Sequence, residues 1–253
     1  MATKLSSREA LAKDITIGLR QERSILTWYN DRPEGWRLVN GLWSPYYINM
    51  RLITTSPKLY RKTGEGFCLM LDEEGYRADN CRLVGVAMAG IPFANAVTLM
   101  AGIPSLYTRK LPEDVKTPVD LQRYIGSHGQ HALVEGHFES GDTIVCIDDL
   151  VTRFDSKLLA IHQVQAEAKR KELTGIKLED VFVLLDREQG ASEKASELGF
   201  RLHSLIPFVN RGLGWLRESF SDIEYTVISD YVRDPQKYQD REMSDTLRRM
   251  ARR

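Results

Sequence analysis

An α/β fold built on a central, mostly parallel sheet flanked by helices is what this sequence predicts, and three observations carry the prediction. Short apolar runs recur along the chain, at CRLVGV, TIVCIDDL, DVFVLL and RLHSLIPF, each strand-like in length and rich in branched residues. Stretches of helix formers such as SKLLAIHQVQAEAKRKEL and ASEKASELGF separate the later runs. Alternation of strand and helix implies parallel strands joined by right-handed crossovers, with helices on both sheet faces. The third observation is size: 253 residues, 42% of them hydrophobic, suffice for a sizeable core without disulfide or metal staples.

Taken in order, residues SSREALAKDITIGLRQERSILTWY read as one or two helices with an apolar stripe through Leu11, Ile15 and Leu19. GLWSPYYINMRLI follows, and its alternation from Tyr46 to Arg51 predicts a strand with one buried face after a Ser-Pro turn. Residues 57–76 are helical in pattern, and CRLVGVAMAGIPFANAVTLMAG is a strand, a Gly/Pro turn and a helix ended by Gly102. IPSLYTRK is a further strand. The polar stretch LPEDVKTPVDLQRYIGSHGQHALVEGHFESGD has no sustained apolar period and reads as a long functional loop. The strand and helix alternation then runs to Phe208, and the charged tail from Val209 to Arg253 holds helical pieces and a frayed basic end. These divisions predict N-terminal helices and a hood strand over 1–56, a core over 57–208 and a C-terminal helical extension over 209–253.

Composition excludes several function classes. Lys and Arg number 35 against 35 Asp and Glu, so the uniformly basic face of a nucleic-acid binder is not expected. No window is apolar for long enough to span a membrane. Cys68, Cys81 and Cys146 form no CxxC pair, and the start MATKLSSREALAKD is not a secretory leader, which together predict a cytoplasmic location. His131, His137, His162 and His203 lack metal-ligand spacing.

VCIDDLVTRFDSK carries the chemistry. Ligands in an open parallel sheet bind outside the carboxyl ends of the strands, where Asp148 and Asp149 fall. The next residues, Thr152, Arg153, Phe154, Asp155 and Ser156, open a helix whose N–H groups and dipole suit a phosphate. Carboxylates beside a phosphate seat suit a sugar phosphate, although a solvated strand end with Asp155 or Ser156 as a helix cap accounts for the same residues. Arg187, after VFVLLD, lies at another strand end. It suits either a carboxylate ligand or an ion pair with Asp186 or Glu188.

Four apolar residues, two acids, an apolar pair and Thr152 resemble the phosphoribosyl pyrophosphate (PRPP) motif of the type I phosphoribosyltransferases, and the chain resembles the orotate phosphoribosyltransferases in particular. GLWSPYYINMR, GVAMAGIPFANAV, LYTRK with SHGQHALVEG, LLDREQGA and RLHSLIPF occur in family order. The resemblance implies the type I phosphoribosyltransferase fold, and transfer of ribose 5-phosphate from PRPP to orotate with release of pyrophosphate, with Mg²⁺ as cofactor. It implies that Asp148 and Asp149 hold the ribose and that Arg109, Lys110 and His128, with Gly129, Glu135 and Gly136, form a catalytic loop. Tyr46, Tyr47 and Arg187 would serve orotate, and the loop would serve a neighbouring subunit's site in a homodimer. The chain departs from the family pattern at its phosphate loop, where Arg153, Phe154 and Asp155 replace residues that are usually Thr-Gly-Gly. Arg153 is expected to offset the charge of Asp155. Trp43 and Ala89 stand where members often place lysines, and Lys116 or Arg123 would supply the third basic loop residue. Three activities therefore stay open from the residues: the orotate enzyme, transfer to another base, and a non-catalytic relative that binds a nucleotide or orotate.

Overall fold

The structure, a computed structural model, describes residues 7–38, 41–128 and 132–251, with only the backbone at 128. Helix α1 (Ser7–Gln21) buries Ala12, Ile15, Thr16 and Leu19, so the stripe read from sequence faces the core. The residues after it do not continue the helix. β1 (Ile25–Thr27) follows, then β2 (Trp36–Arg37), β3 (Trp43–Ser44) and β4 (Tyr46–Ile48). β1 pairs antiparallel with β4 and β2 with β3, forming two small ribbons. The strand expected to reach Arg51 ends at Ile48, because Met50–Thr55 turns as a 3₁₀ helix started by the Asn49 side chain, which accepts from Arg51 N–H.

Helix α2 (Pro57–Glu73), with Pro57 in its first turn, leads into the main sheet. The sheet is built from β5 (Arg82–Gly85), β6 (Ser105–Thr108), β7 (Val134–Glu135), β8 (Ile144–Val151), β9 (Asp180–Asp186) and β10 (Arg201–Pro207). Their spatial order is β10-β9-β8-β5-β6-β7, parallel throughout except for β7. Every residue of β9 is buried, as a central strand covered on both faces requires. The crossovers between parallel strands are α3 (Gly90–Ala101), α5 (Asp155–Arg170) and α6 (Ala191–Glu197), while α4 (Pro118–His128) lies on the connection from β6 to the antiparallel β7. Helix α4 lies inside the stretch expected to be a loop. Thr117 caps it, its hydroxyl bonded to Asp120 Oδ2 at 2.6 Å while Asp120 N–H donates back, and Leu121 is buried. A helix anchored by one buried leucine has too few apolar residues for its period to show.

The C-terminal extension forms α7 (Leu213–Trp215), α8 (Asp222–Arg233) and α9 (Arg241–Met250) and shares one apolar core with the N-terminal segment. Glu224, fully buried, accepts from Thr27 Oγ1 at 2.6 Å and from Asn30 Nδ2 at 2.7 Å, and Trp28 Nε1 donates to Leu247 O at 3.2 Å. Trp43 stacks on Tyr238, and its backbone pairs with the Gln239 amide. The Trp43 ring and backbone thus dock the C-terminal extension.

Candidate functional site

β8 and β9 end together, Val151 opposite Asp186, while β5 stops opposite Ile147, just before the two aspartates, and the residues singled out above gather at these carboxyl ends. Gly90, first in α3, abuts β8 so closely that a Cβ there would stand 2.2 Å from Ile147 O and 3.1 Å from Asp148 Oδ1. Only glycine permits that approach. Asp148 is buried and its Oδ2 lies 2.7 Å from Lys157 Nζ, itself buried on the first turns of α5. Lys157 also donates to Leu150 O, so the ammonium bridges strand end and helix. Nothing in the sequence reading named Lys157. A signal was present: it falls on the inward stripe that includes Ala160, Ile161, Val164 and Ala168, where a lysine needs a partner.

Asp149 is half-buried beside this pair, and its N–H donates to Asp148 Oδ1 at 2.8 Å. Burial, and next the charge of Asp148, raise its carboxyl from 3.8 to about 7. The folded protein therefore binds this proton more tightly than the unfolded chain. The resulting stability is complete below about pH 4 and lost as pH rises through about 7. Urea midpoints of the substrate-free protein across this window are expected to fall relative to those of Asp149→Asn. Parallel profiles would place the proton elsewhere.

The turn after β8 opens α5 by unusual means. Phe154 adopts φ +66, a left-handed conformation that costs a bulky residue energy, and its ring is buried against Phe200. The aromatic thus points into the core and away from the turn, and α5 begins at Asp155. Lys157 and Leu158 N–H both bond Phe154 O, which leaves the earlier N–H groups of the turn without helical carbonyls. Asp155 is ion-paired with Lys194 of α6, and Arg153 stands exposed. The expected offset of Asp155 by Arg153 is thus corrected. Lys194, 39 residues on, supplies the charge, a pairing that only the packing of α6 beside α5 creates. Thr152 is half-buried and Ser156 is exposed at the same turn.

Arg187 follows β9 and its N–H bonds Val151 O at 3.1 Å, which ties it to the β8 end. It is 8% exposed, its guanidinium sits 5.1 Å from the centre of the Tyr46 ring, and its Nε and Nη2 have no hydrogen-bond partner among the described residues. The ion pair with Asp186 or Glu188 does not form. Glu188 instead accepts from Asn210 N–H at 2.8 Å, while Asp186 accepts from Glu188 N–H. Tyr46 is buried between Arg187, Phe208 and Tyr231 of α8, and its own hydroxyl is unpaired. Tyr47 stacks on Trp36. The contribution of Tyr231, from the extension, was invisible in sequence because it depends on a contact across 185 positions.

Arg109 and Lys110 are exposed just past β6, with Arg109 Nε 3.7 Å from Glu135 Oε1. The side chain of His128, with Gly129 and His131, lies outside the described residues. The arrangement gathers two carboxylates and a buried lysine, a helix start and an unpaired guanidinium at one sheet edge. It can hold an anion at the turn, polyol oxygens at the aspartates and a second anion at Arg187.

No protein-family model matches the chain. It is 29% identical over 169 residues to the orotate phosphoribosyltransferase of Methanocaldococcus jannaschii, spanning 67% of this chain and 82% of that one. It is 32% identical over 168 residues to the uridine 5'-monophosphate synthase of Bos taurus, spanning 66% of this chain but 30% of that longer protein. Among solved structures, UMP synthase of Leishmania donovani superposes with a TM-score of 0.67 at 22% identity, over 90% of this chain and 42% of that one. That likeness shows a shared fold.

Proposed function

We propose, from the premise that this chain is a phosphoribosyltransferase of the orotate type, that it transfers ribose 5-phosphate from PRPP to N1 of orotate, giving orotidine 5'-monophosphate and pyrophosphate. The observation that carries the reading is Arg187: a buried guanidinium with two unpaired donors is costly unless an anion completes it. A planar carboxylate on a base fits that fork. The Tyr46 ring beside it offers an apolar wall for the same base.

The remaining residues fall into place around this anchor. The 5'-phosphate would sit at the first-turn N–H groups of α5, with Thr152 and Ser156 hydroxyls at hand. Asp148, held by Lys157, and Asp149 would accept the ribose hydroxyls and orient the anomeric carbon. Displacement at that carbon builds positive charge on the sugar and negative charge on the departing pyrophosphate. Arg109, Lys110 and His128 would neutralise the latter. Mg²⁺ fits the donor set, since a hard cation held mainly by substrate oxygens and water needs only the oxygen-rich strand end at Asp148 and Asp149. When bound, it would neutralise pyrophosphate charge. We also place the chain in a homodimer in which the cationic loop serves the neighbouring site. Leu99, 88% exposed near the end of α3, is a large apolar side chain that such a contact would cover. No helix among the described residues is long and apolar enough to cross a membrane, and a cytoplasmic site of action is part of the proposal.

The test is a pyrophosphate-release assay with PRPP and Mg²⁺, offering orotate, uracil, adenine and hypoxanthine in turn. Release with orotate alone is expected. Release with another base, or binding of orotate without any release, overturns the assignment.

A further inference from the structure

Besides Lys157, two polar side chains on α5 are buried among its apolar residues. Gln163 is 4% exposed and Glu167 is 0% exposed, four positions apart and so on one face of the helix. Both reach the ends of the segment that carries the cations. Gln163 Nε2 donates to Arg109 O at 2.9 Å and lies 3.4 Å from Leu133 O. Glu167 Oε2 accepts from Leu133 N–H at 3.0 Å. Arg109 N–H donates in turn to Leu133 O at 2.9 Å, so departure and return of the chain are bonded to each other and to α5. Glu167 is balanced by Arg170, whose Nε lies 3.2 Å away, and by Lys171 at 3.6 Å.

We propose that Gln163 and Glu167 are positioning residues for the transfer reaction, locking both ends of the Arg109–Leu133 segment onto the helix whose first turn seats the 5'-phosphate. The inference rests on the reading given above. A cation that acts on charge developing at pyrophosphate must stand at a set distance from the phosphate seat, and a rigid helix with two side-chain anchors sets it. A buried amide and a buried carboxylate would otherwise be poor choices at positions where leucine packs without a desolvation cost. Each backbone group they serve lies at the segment ends, which is why a positioning role accounts for both together. Both side chains act through the backbone of Arg109 and Leu133 and are not among the groups assigned above to the substrates.

The experiment compares wild type with Gln163→Leu, Glu167→Leu and Glu167→Gln in steady-state kinetics, and by trypsin cleavage after Lys116 and Arg123. For Gln163→Leu, kcat is expected to fall about tenfold, the rate equivalent of one buried hydrogen bond, with KM for orotate within about twofold of wild type. Cleavage should be faster in Gln163→Leu and Glu167→Leu. Glu167→Gln should recover most of the kcat lost in Glu167→Leu, because the amide oxygen still accepts from Leu133 N–H. Unchanged kcat and cleavage in Gln163→Leu overturn the proposal, as does a kcat loss matched by equal loss of orotate affinity. If wild type releases no pyrophosphate, the enzymatic reading fails by itself. Cleavage rates then decide whether the two side chains fasten the segment.

Discussion

Replacing Arg187 by Met is expected to raise KM for orotate by about 10- to 100-fold, equivalent to a charge-assisted hydrogen-bonded pair of about 1.5–3 kcal/mol, while PRPP affinity stays near wild type. Methionine keeps most of the side-chain volume, so no large cavity accompanies the change. Stability should move the other way. Nε and Nη2 are buried without partners, a cost of about 1–3 kcal/mol for each unmet donor, against about 0.5–2 kcal/mol from the guanidinium resting on Tyr46. The donors outweigh the ring, and Arg187→Met is expected to unfold at equal or higher urea concentration than wild type. Opposite signs for substrate affinity and stability mark a residue kept for its ligand. Calorimetry with each substrate and a urea titration measure both quantities. Equal loss of orotate and PRPP binding, or a marked loss of stability, would make Arg187 a structural residue.

Lys157→Met should be the most destabilising single change in the site, costing about 3–5 kcal/mol, because it strands the buried Asp148 carboxylate without its counter-ion. The intact pair itself is worth far less than this, since burying both ions offsets most of their attraction. Adding Asp148→Asn to Lys157→Met removes the stranded charge, and the double variant should recover much of the loss. Urea unfolding of the two single variants and the double variant closes the cycle. A Lys157→Met variant as stable as wild type would mean that water reaches Asp148.

The strands were legible because buried parallel strands must be apolar along their whole length. TIVCIDDL and DVFVLLD announce β8 and β9, and their acids announce the strand ends. Helix α4 is hidden in sequence, for among its described residues Leu121 alone is buried deeply enough to leave a mark. Three residues are too few to show a period, so Ile25–Thr27 reads in sequence as the end of a helix, and its pairing with Tyr46–Ile48 is what makes it a strand.

The same division holds at the site. Local order along the chain determined that two carboxylates, a helix start and an arginine would meet at one sheet edge, because strand ends in a parallel sheet converge by construction. Tertiary structure alone decided their partners. Lys157 turns inward to Asp148, Lys194 takes Asp155, Asn210 takes Glu188 and so leaves Arg187 unpaired, and Tyr231 arrives from the C-terminal extension to wall in Tyr46. Phe154 holds a left-handed turn by burying its ring, where glycine would need no such anchor. Hydrophobic periodicity is a local property that sequence carries openly. Ion pairing and ring contacts depend on distances across the fold, which no spacing along the chain records.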